Sequence, residues 1–230
     1  MITRTGILGG TFDPIHYGHL VIAEDARVYL NLERVLFVPA YQPPHKPDRP
    51  YSAFEHRVRM TELAIANNPH FAISLIEARR SGPSYTVDTV RQLQVELGSE
   101  AELYFVMGMD SLCNILTWHE PSQLLTMCRI VVAGRAGYKA DLPALEKALP
   151  GLSEKLELIN TPELSISSTD LQQRVRHGLP IKYQLPANVE RYIYEHKLYL
   201  PPKGPPVTGS AASSATPLCR DAPGAEGTSC

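Results

Sequence analysis

Apolar residues follow two alternating patterns along this chain. Short, nearly continuous apolar runs are each followed by a longer stretch in which apolar positions recur at helical spacing. The runs predict strands and the spaced stretches predict helices. The predicted strands are TGILG (5–9), RVLFVP (34–39), FAISLIE (71–77), ELYFVMG (102–108), RIVVAG (129–134) and LELIN (156–160). The predicted helices cover about 18–31, 52–67, 85–97, 120–127 and 141–149.

This alternation predicts an α/β fold, a doubly wound parallel sheet with helices on both faces. Runs such as LYFVM and IVVA contain no polar position, as strands buried on both faces require. Two further helices follow the sixth strand, at about 168–177 and 186–196. We interpret this C-terminal pair, about 165–200, as a small helical cap on the sheet domain.

The end of the chain has a different composition. From Pro201 onward it consists mainly of Pro, Gly, Ala and Ser, with almost no large apolar residues. Such a segment buries too little apolar surface to offset the entropy lost on ordering. The sequence therefore predicts a folded domain over 1–200 and a disordered tail over 201–230.

Composition narrows the classes of function. The formal net charge of −2 excludes a broadly basic surface for nucleic acid or for an anionic membrane, so an anion site has to be local. No apolar run is long enough to span a bilayer and no secretory signal is recognisable, which predicts a cytoplasmic protein. The cysteines lack paired CxxC spacing, so we expect no zinc site and no protein-built metal site.

Candidate chemistry begins in the segment GILGGTFDPIHYGH, which follows the first strand. The first strand-to-helix turn of a parallel sheet is a common phosphate site. Gly9 and Gly10 allow the backbone to approach a phosphate, and Thr11 supplies donors. His16 and His19 lie one turn apart at the start of the next helix, where both can face one phosphate chain. The alternative is that both histidines serve only the turn and the helix start.

The segment GGTFDPIHYGH resembles the signature of the HxGH nucleotidyltransferase superfamily. Members of that superfamily transfer a nucleoside monophosphate from a triphosphate to an acceptor. The resemblance implies a Rossmann-like fold and implies that His16 and His19 are catalytic, contacting the triphosphate and stabilising charge during transfer. It also places ATP against Gly9, Gly10, Thr11 and Phe12.

Five further segments narrow the family: YQPPHKP, FEHRVRMTELAI, RRSGPSYTVDTV, MGMDSLCNILTWHE, and ISST together with LPANVERYIYEHKLY. They resemble the bacterial nicotinate-mononucleotide adenylyltransferases over nearly all of 1–200. Members of this family transfer the adenylyl group of ATP to nicotinate mononucleotide, giving nicotinate adenine dinucleotide and pyrophosphate in NAD biosynthesis. We therefore expect ATP and nicotinate mononucleotide as partners, with Mg²⁺ carried by ATP.

Two loops are expected to hold anionic parts of the substrates. The stiff PPHK loop is either a lid that contacts anions or a solvated basic loop. The resemblance favours the lid, with His45 facing the acceptor and Lys46 facing ATP. In GPSYT we expect Ser84 to cap the next helix, leaving backbone amides free for a small carboxylate. The resemblance adds that the amide of Thr86 meets the nicotinate carboxylate.

Single residues after the fourth and fifth strands complete the expected site. The only tryptophan, Trp118, has either a core role or a role as an aromatic face for a cationic pyridinium ring. The resemblance favours the second role and places His119 beside the ring. Asp110 is positioned for ribose hydroxyls, and Arg135 for the acceptor phosphate.

A second phosphate cradle is expected at ISSTDLQQR, where hydroxyls and a helix start coincide at Ser167, Ser168 and Thr169. The family usually has arginines at two positions of this segment. This chain has Gln172 at the first and keeps Arg174 at the second. We expect the phosphate contact to shift to Arg174, to the lysine of the PPHK loop and to the helix terminus.

Two other functions remain open at this point. One is a different HxGH enzyme, a phosphopantetheine adenylyltransferase or a cytidylyltransferase. SYT and TWHE disfavour it, because neither acceptor needs a carboxylate site beside an aromatic ring. The other is a nucleotide-binding sensor without catalysis, which Gln172 favours and the intact histidines disfavour.

Overall fold

The computed structural model describes residues 3–43, 51–134, 140–162 and 164–201. Within these ranges one parallel sheet has the strand order β3-β2-β1-β4-β5-β6. Its strands are β1 (Thr3–Gly10), β2 (Arg34–Pro39), β3 (Phe71–Ile73), β4 (Ala101–Gly108), β5 (Arg129–Ala133) and β6 (Leu156–Ile159). The order runs in one direction from β1 through β3 and in the other from β4 through β6, so the predicted doubly wound sheet is confirmed.

Helices cover both faces of this sheet. They are α1 (Tyr17–Tyr29), α2 (Phe54–Ile65), α3 (Thr86–Leu97), α4 (Met109–Cys113), α5 (Pro121–Met127), α6 (Leu142–Ala148), α7 (Leu152–Lys155), α8 (Ser168–Arg176) and α9 (Ala187–Glu195). Successive residues of a strand point to opposite faces. Leu8 thus joins a core with α1, α2, α8 and α9, whereas Ile7 joins a core with α3 to α7.

The third strand is shorter than predicted. Residues 71–77 were expected to form one strand, but β3 ends at Ile73 and a 3₁₀ turn occupies Ile76–Arg79. The strand lies at the sheet edge and pairs only with β2. Glu77 faces inward and accepts hydrogen bonds from the Tyr41 amide and the Thr89 hydroxyl, which a strand would not allow. The short helices α4 and α7 were not predicted, because four or five residues are too few to show a period.

The cap forms as predicted and contacts the sheet domain. Ser167 caps α8, its hydroxyl accepting from the Asp170 amide at 3.1 Å. The α9 helix packs on α2, where Asn188 donates to the Leu63 carbonyl at 2.6 Å. Internal contacts group Met1–Leu200 as one unit, and the tail expected over 201–230 lies outside the described residues beyond Pro201. Along the described ranges, every helix is too short or too polar to cross a membrane.

Gly6, in the middle of β1, marks a close approach to β2 and to the segment between α1 and β2. A Cβ atom at this position would lie 2.9 Å from Leu32 Cδ1 and 3.1 Å from Val35 Cγ2, both buried in the core. We expect Gly6→Ala to lower the free energy of unfolding by roughly 1 to 3 kcal/mol through overpacking. Chemical denaturation followed by circular dichroism measures this loss.

Gly9→Ala is the matched control in the same strand. Its new Cβ would meet Phe105 at an ordinary contact distance of 3.5 Å. Equal stability losses in the two variants would contradict the overpacking at Gly6.

Candidate active site

A cavity of about 710 Å³ opens at the carboxyl edge of the sheet, where the strand order reverses between β1 and β4. This is where open α/β sheets bind ligands. Most of the residues predicted from the sequence line it: Gly9, Gly10, Thr11, His16, His19, Thr86, Asp110, Trp118, His119, Ser167, Ser168 and Thr169. His45, Lys46 and Arg135 lie outside the described residues, so their roles stay predictions.

The two histidines lie against each other at the start of α1. Their ring centroids are 3.8 Å apart with planes inclined at 31°. The backbone N–H of His16 donates to Nδ1 of His19 at 3.2 Å. Because Nδ1 accepts, a neutral His19 carries its proton on Nε2. The backbone of His16 thus orients the imidazole of His19.

His19 is neutral in the free protein. Burial, and then the neighbouring His16, hold the pKa of His19 well below its ordinary value of 6.5. Both effects disfavour the imidazolium, and a bound anion would oppose both. A negative ligand would therefore favour the charged form of His19.

Phe12 supports this pair from within the core. It is fully buried, its backbone lies in the left-handed region at φ 50°, and its ring meets His19 edge-on at 5.2 Å. Phe12 is not part of the cavity lining, in contrast to the other glycine-turn residues. Its contact with ATP stays a prediction, and the structure gives its side chain a packing role.

Two buried residues of opposite charge, Asp13 and Arg57, were missed in the sequence analysis. Asp13 is 4% exposed and Arg57 2% exposed. Arg57 donates to the backbone carbonyls of Thr11 at 3.0 Å, Ala40 at 2.7 Å and Ser52 at 3.1 Å. Burial lowers the pKa of Arg57, and the charge of Asp13 opposes that shift. The only available signal was an arginine on the apolar side of a predicted helix.

The start of α8 holds the same loop from another side. Ser168 donates its hydroxyl to the Pro14 carbonyl at 2.9 Å, and Gln172 donates its amide to the Asp13 carbonyl at 2.5 Å. Gln172 is only 5% exposed. The residue at this position therefore tethers the loop between β1 and α1.

Arg174 lies elsewhere than expected. Its Nε donates to the Pro180 carbonyl at 2.9 Å, and the residue is not part of the cavity lining. The position is nearly two turns along α8 from the serines at the helix start, on the part of the helix farther from the cavity. The expectation that Arg174 takes over a phosphate contact has no geometric support in this structure.

Ser84 does not cap α3. The N-cap residue is Tyr85, and no side chain caps the helix start. The Ser84 hydroxyl instead accepts from the amides of Tyr41 at 3.1 Å and Gln42 at 3.0 Å. It joins the α3 turn to the loop after β2, and the amides at the α3 start stay available to a ligand.

Glu77 was missed because it fell within a predicted strand. The carboxylate is buried, lines the cavity and accepts from the Tyr41 amide at 3.2 Å and the Thr89 hydroxyl at 2.6 Å. Arg80 lies 3.9 Å from it and donates to the Tyr85 carbonyl at 3.1 Å. This network fixes the peptide that precedes Thr86.

Trp118 packs against the core and borders the cavity, and its stacking on a pyridinium ring stays a prediction. Its ring meets Phe105 edge-on, with centroids 5.8 Å apart at 90°, and packs against the core. It also lines the cavity. His119 stacks on Tyr85 at 4.2 Å, which links this loop to the start of α3.

Comparison with known proteins agrees with this geometry. The cytidylyltransferase-like family model matches residues 7–174. The probable nicotinate-nucleotide adenylyltransferase of Thermomicrobium roseum is 47% identical, with 86% of this chain and 92% of that protein covered. The protein of the same description from Roseiflexus sp. is 53% identical, covering 84% and 96%.

Solved structures are similar over the same range. The nicotinic acid mononucleotide adenylyltransferase of Plasmodium falciparum complexed with APC has a TM-score of 0.69 and 26% identity, covering 86% of this chain and 97% of that one. The same enzyme complexed with NaAD has a TM-score of 0.69 and 27% identity, with equal coverage. The sheet, the paired histidines and these relatives agree, and the chain belongs to the nicotinate-nucleotide adenylyltransferases of the cytidylyltransferase-like family.

Proposed function

We infer that this protein transfers the adenylyl group of ATP to nicotinate mononucleotide, giving nicotinate adenine dinucleotide and pyrophosphate. The observation that carries this is one cavity lined by two chemically different groups of residues. One end has the His16–His19 pair, and the other has the uncapped start of α3 beside Trp118. The probable nicotinate-nucleotide adenylyltransferases of Thermomicrobium roseum and Roseiflexus sp. support the same reaction.

The histidine end suits the triphosphate. The helix starts at α1 and α8 both border the cavity, so their positive dipole ends favour phosphate. His16 and His19 add donors that can neutralise charge on the transferring phosphoryl group and on the pyrophosphate. We assign Gly9, Gly10 and Thr11 to close backbone contact with the same phosphates, and Asp110 to the ribose hydroxyls.

The other end suits nicotinate mononucleotide. The α3 start offers backbone amides near Thr86 to the carboxylate, and Trp118 offers its ring to the positively charged pyridinium. His119 stands beside this ring, stacked on Tyr85. We propose that His45 and Arg135 contact the acceptor, and that Lys46 contacts ATP.

The reaction needs alignment more than proton transfer. An oxygen of the acceptor phosphate, already anionic, forms a bond to the α-phosphorus of ATP as the bond to the bridging oxygen breaks and pyrophosphate leaves. No general base and no covalent enzyme intermediate are required. The chain's own contribution is to hold both phosphates in line and to neutralise their charge.

We propose that Mg²⁺ enters on the phosphates of ATP. Over the described ranges, no three His, Cys, Asp or Glu side chains form a metal-binding group. Asp110 on the cavity wall is a hard oxygen donor, but a single carboxylate suits a substrate-borne ion better than a protein cage.

The cytoplasmic location expected from the sequence also stays a prediction.

A pyrophosphate-release assay with ATP and either nicotinate or nicotinamide mononucleotide tests the acceptor. We expect turnover with nicotinate mononucleotide and a kcat/KM at least about tenfold lower with the amide, because backbone amides at a helix start favour a carboxylate. Phosphopantetheine and a cytidylyl acceptor with CTP are run in parallel. Turnover with one of these and none with either mononucleotide would identify a different HxGH enzyme, and ATP binding without turnover would identify a sensor.

Substitution of the paired histidines tests their catalytic role. We expect His16→Ala and His19→Ala each to lower kcat about 100-fold or more, since each removes a donor at the reacting phosphates. The melting temperature, followed by circular dichroism, should show that both variants remain folded. Exposed His177→Ala, on the far end of α8, is the matched control. Near-normal kcat in both cavity variants would remove the two histidines from the mechanism.

ATP binding should be coupled to proton uptake through His19. The pKa of this group lies below 6.5 in the free protein, and bound phosphate raises it, so binding just below pH 6.5 captures a proton. The uptake should diminish as the pH rises above the pKa of the bound state, where the imidazole stays neutral in both states. Calorimetry in buffers of different ionisation enthalpy measures the number of protons. His19→Gln corrects for the protons of ATP itself, and equal uptake in this variant would exclude His19 as the acceptor.

A further inference from the structure

Asp13 connects the end of the folded chain to the catalytic loop. The phenol of Tyr199 donates to Oδ1 of Asp13 at 2.6 Å, across 186 positions of sequence. The other carboxylate oxygen accepts from the Ser52 amide at 3.1 Å. Each oxygen of this buried carboxylate therefore accepts a hydrogen bond from a distant segment of the chain.

Tyr199 is a fixed donor. Burial and the charge of Asp13 raise the pKa of its phenol far above the ordinary value, so the proton stays on the phenol oxygen. The same oxygen lies 3.8 Å from the Met60 sulfur in the core. Its backbone has φ 64°, a left-handed conformation that is uncommon for an aromatic residue. Tyr199 thus has an unfavourable backbone conformation at the position from which its ring reaches Asp13.

Asp13 lies three residues before His16 and next to Phe12, which meets the His19 ring. A shift of the Asp13 carboxylate would therefore be passed to both imidazoles through short, buried backbone. Arg57 and Gln172 donate hydrogen bonds to backbone carbonyls of this loop. Tyr199, in contrast, donates to the carboxylate itself.

We propose that Tyr199 is a positioning residue for adenylyl transfer, acting through Asp13 on the orientation of His16 and His19. The expected effect on kcat rests on the proposed function, whereas the expected effect on the orientation of the two imidazoles does not. Alignment of the imidazoles matters most when charge develops at the α-phosphorus, so loss of the phenol affects kcat more than substrate binding.

Tyr199→Phe tests the proposal, because it removes the donor and keeps the ring. We expect kcat to fall about tenfold, with the KM for ATP and for nicotinate mononucleotide changed less than about twofold. The assay is run well below the melting temperature of the variant. Tyr194→Phe, which alters an exposed tyrosine on the adjacent α9, is the matched control and should keep normal kcat.

A second measurement is independent of activity. In NMR spectra of the free protein, Tyr199→Phe should shift the ring signals of His16 and His19 and change the pKa of His19, whereas Tyr194→Phe should not. Asp13→Asn, which retains the volume but not the charge, should cause similar shifts and a similar loss of kcat.

The outcomes separate the two proposals. Normal kcat and unchanged histidine signals in Tyr199→Phe, with only a lower melting temperature, would reduce Tyr199 to a structural residue. An inactive wild-type protein would count against the proposed function, and the histidine signals would still decide for or against Tyr199.

Discussion

A buried loop outside regular secondary structure needs a hydrogen-bond donor for each backbone carbonyl that it removes from water. The loop between β1 and α1 meets this constraint one carbonyl at a time. The Thr11 carbonyl accepts from Arg57, that of Asp13 from Gln172, and that of Pro14 from Ser168. An unpaired buried carbonyl costs roughly 1 to 3 kcal/mol, so these bonds select one loop conformation. The position of both histidines depends on that selection.

The same constraint explains why a glutamine suits position 172. The Gln172 amide satisfies the Asp13 carbonyl, and the side chain is buried. A guanidinium there would have to lose its hydration, at a cost of several kcal/mol. Gln172, which departs from the family pattern, therefore has a structural role in the site.

The periodic features of the sequence predicted most of the fold. Alternating runs predicted the order of strands and helices, since a strand buried on both faces differs clearly from an amphipathic helix. The short motifs predicted the cavity lining, because ligand-binding residues cluster at the ends of strands. Ser84 was assigned the wrong partner, because its hydroxyl accepts from amides more than forty residues away. Asp13, Arg57 and Tyr199 were missed for the same reason, since hydrogen bonds across the chain leave no local pattern.

The separation of the two cores has a consequence for how such a site can change. The His16–His19 pair lies at the start of α1, which packs with α8 on one face of the sheet, and the uncapped start of α3 lies on the other. The sheet thus separates two independently packed cores that border the same cavity. Substitutions in the α3 core can change that part of the cavity without repacking the core behind the histidines, so the two parts can diverge separately in evolution.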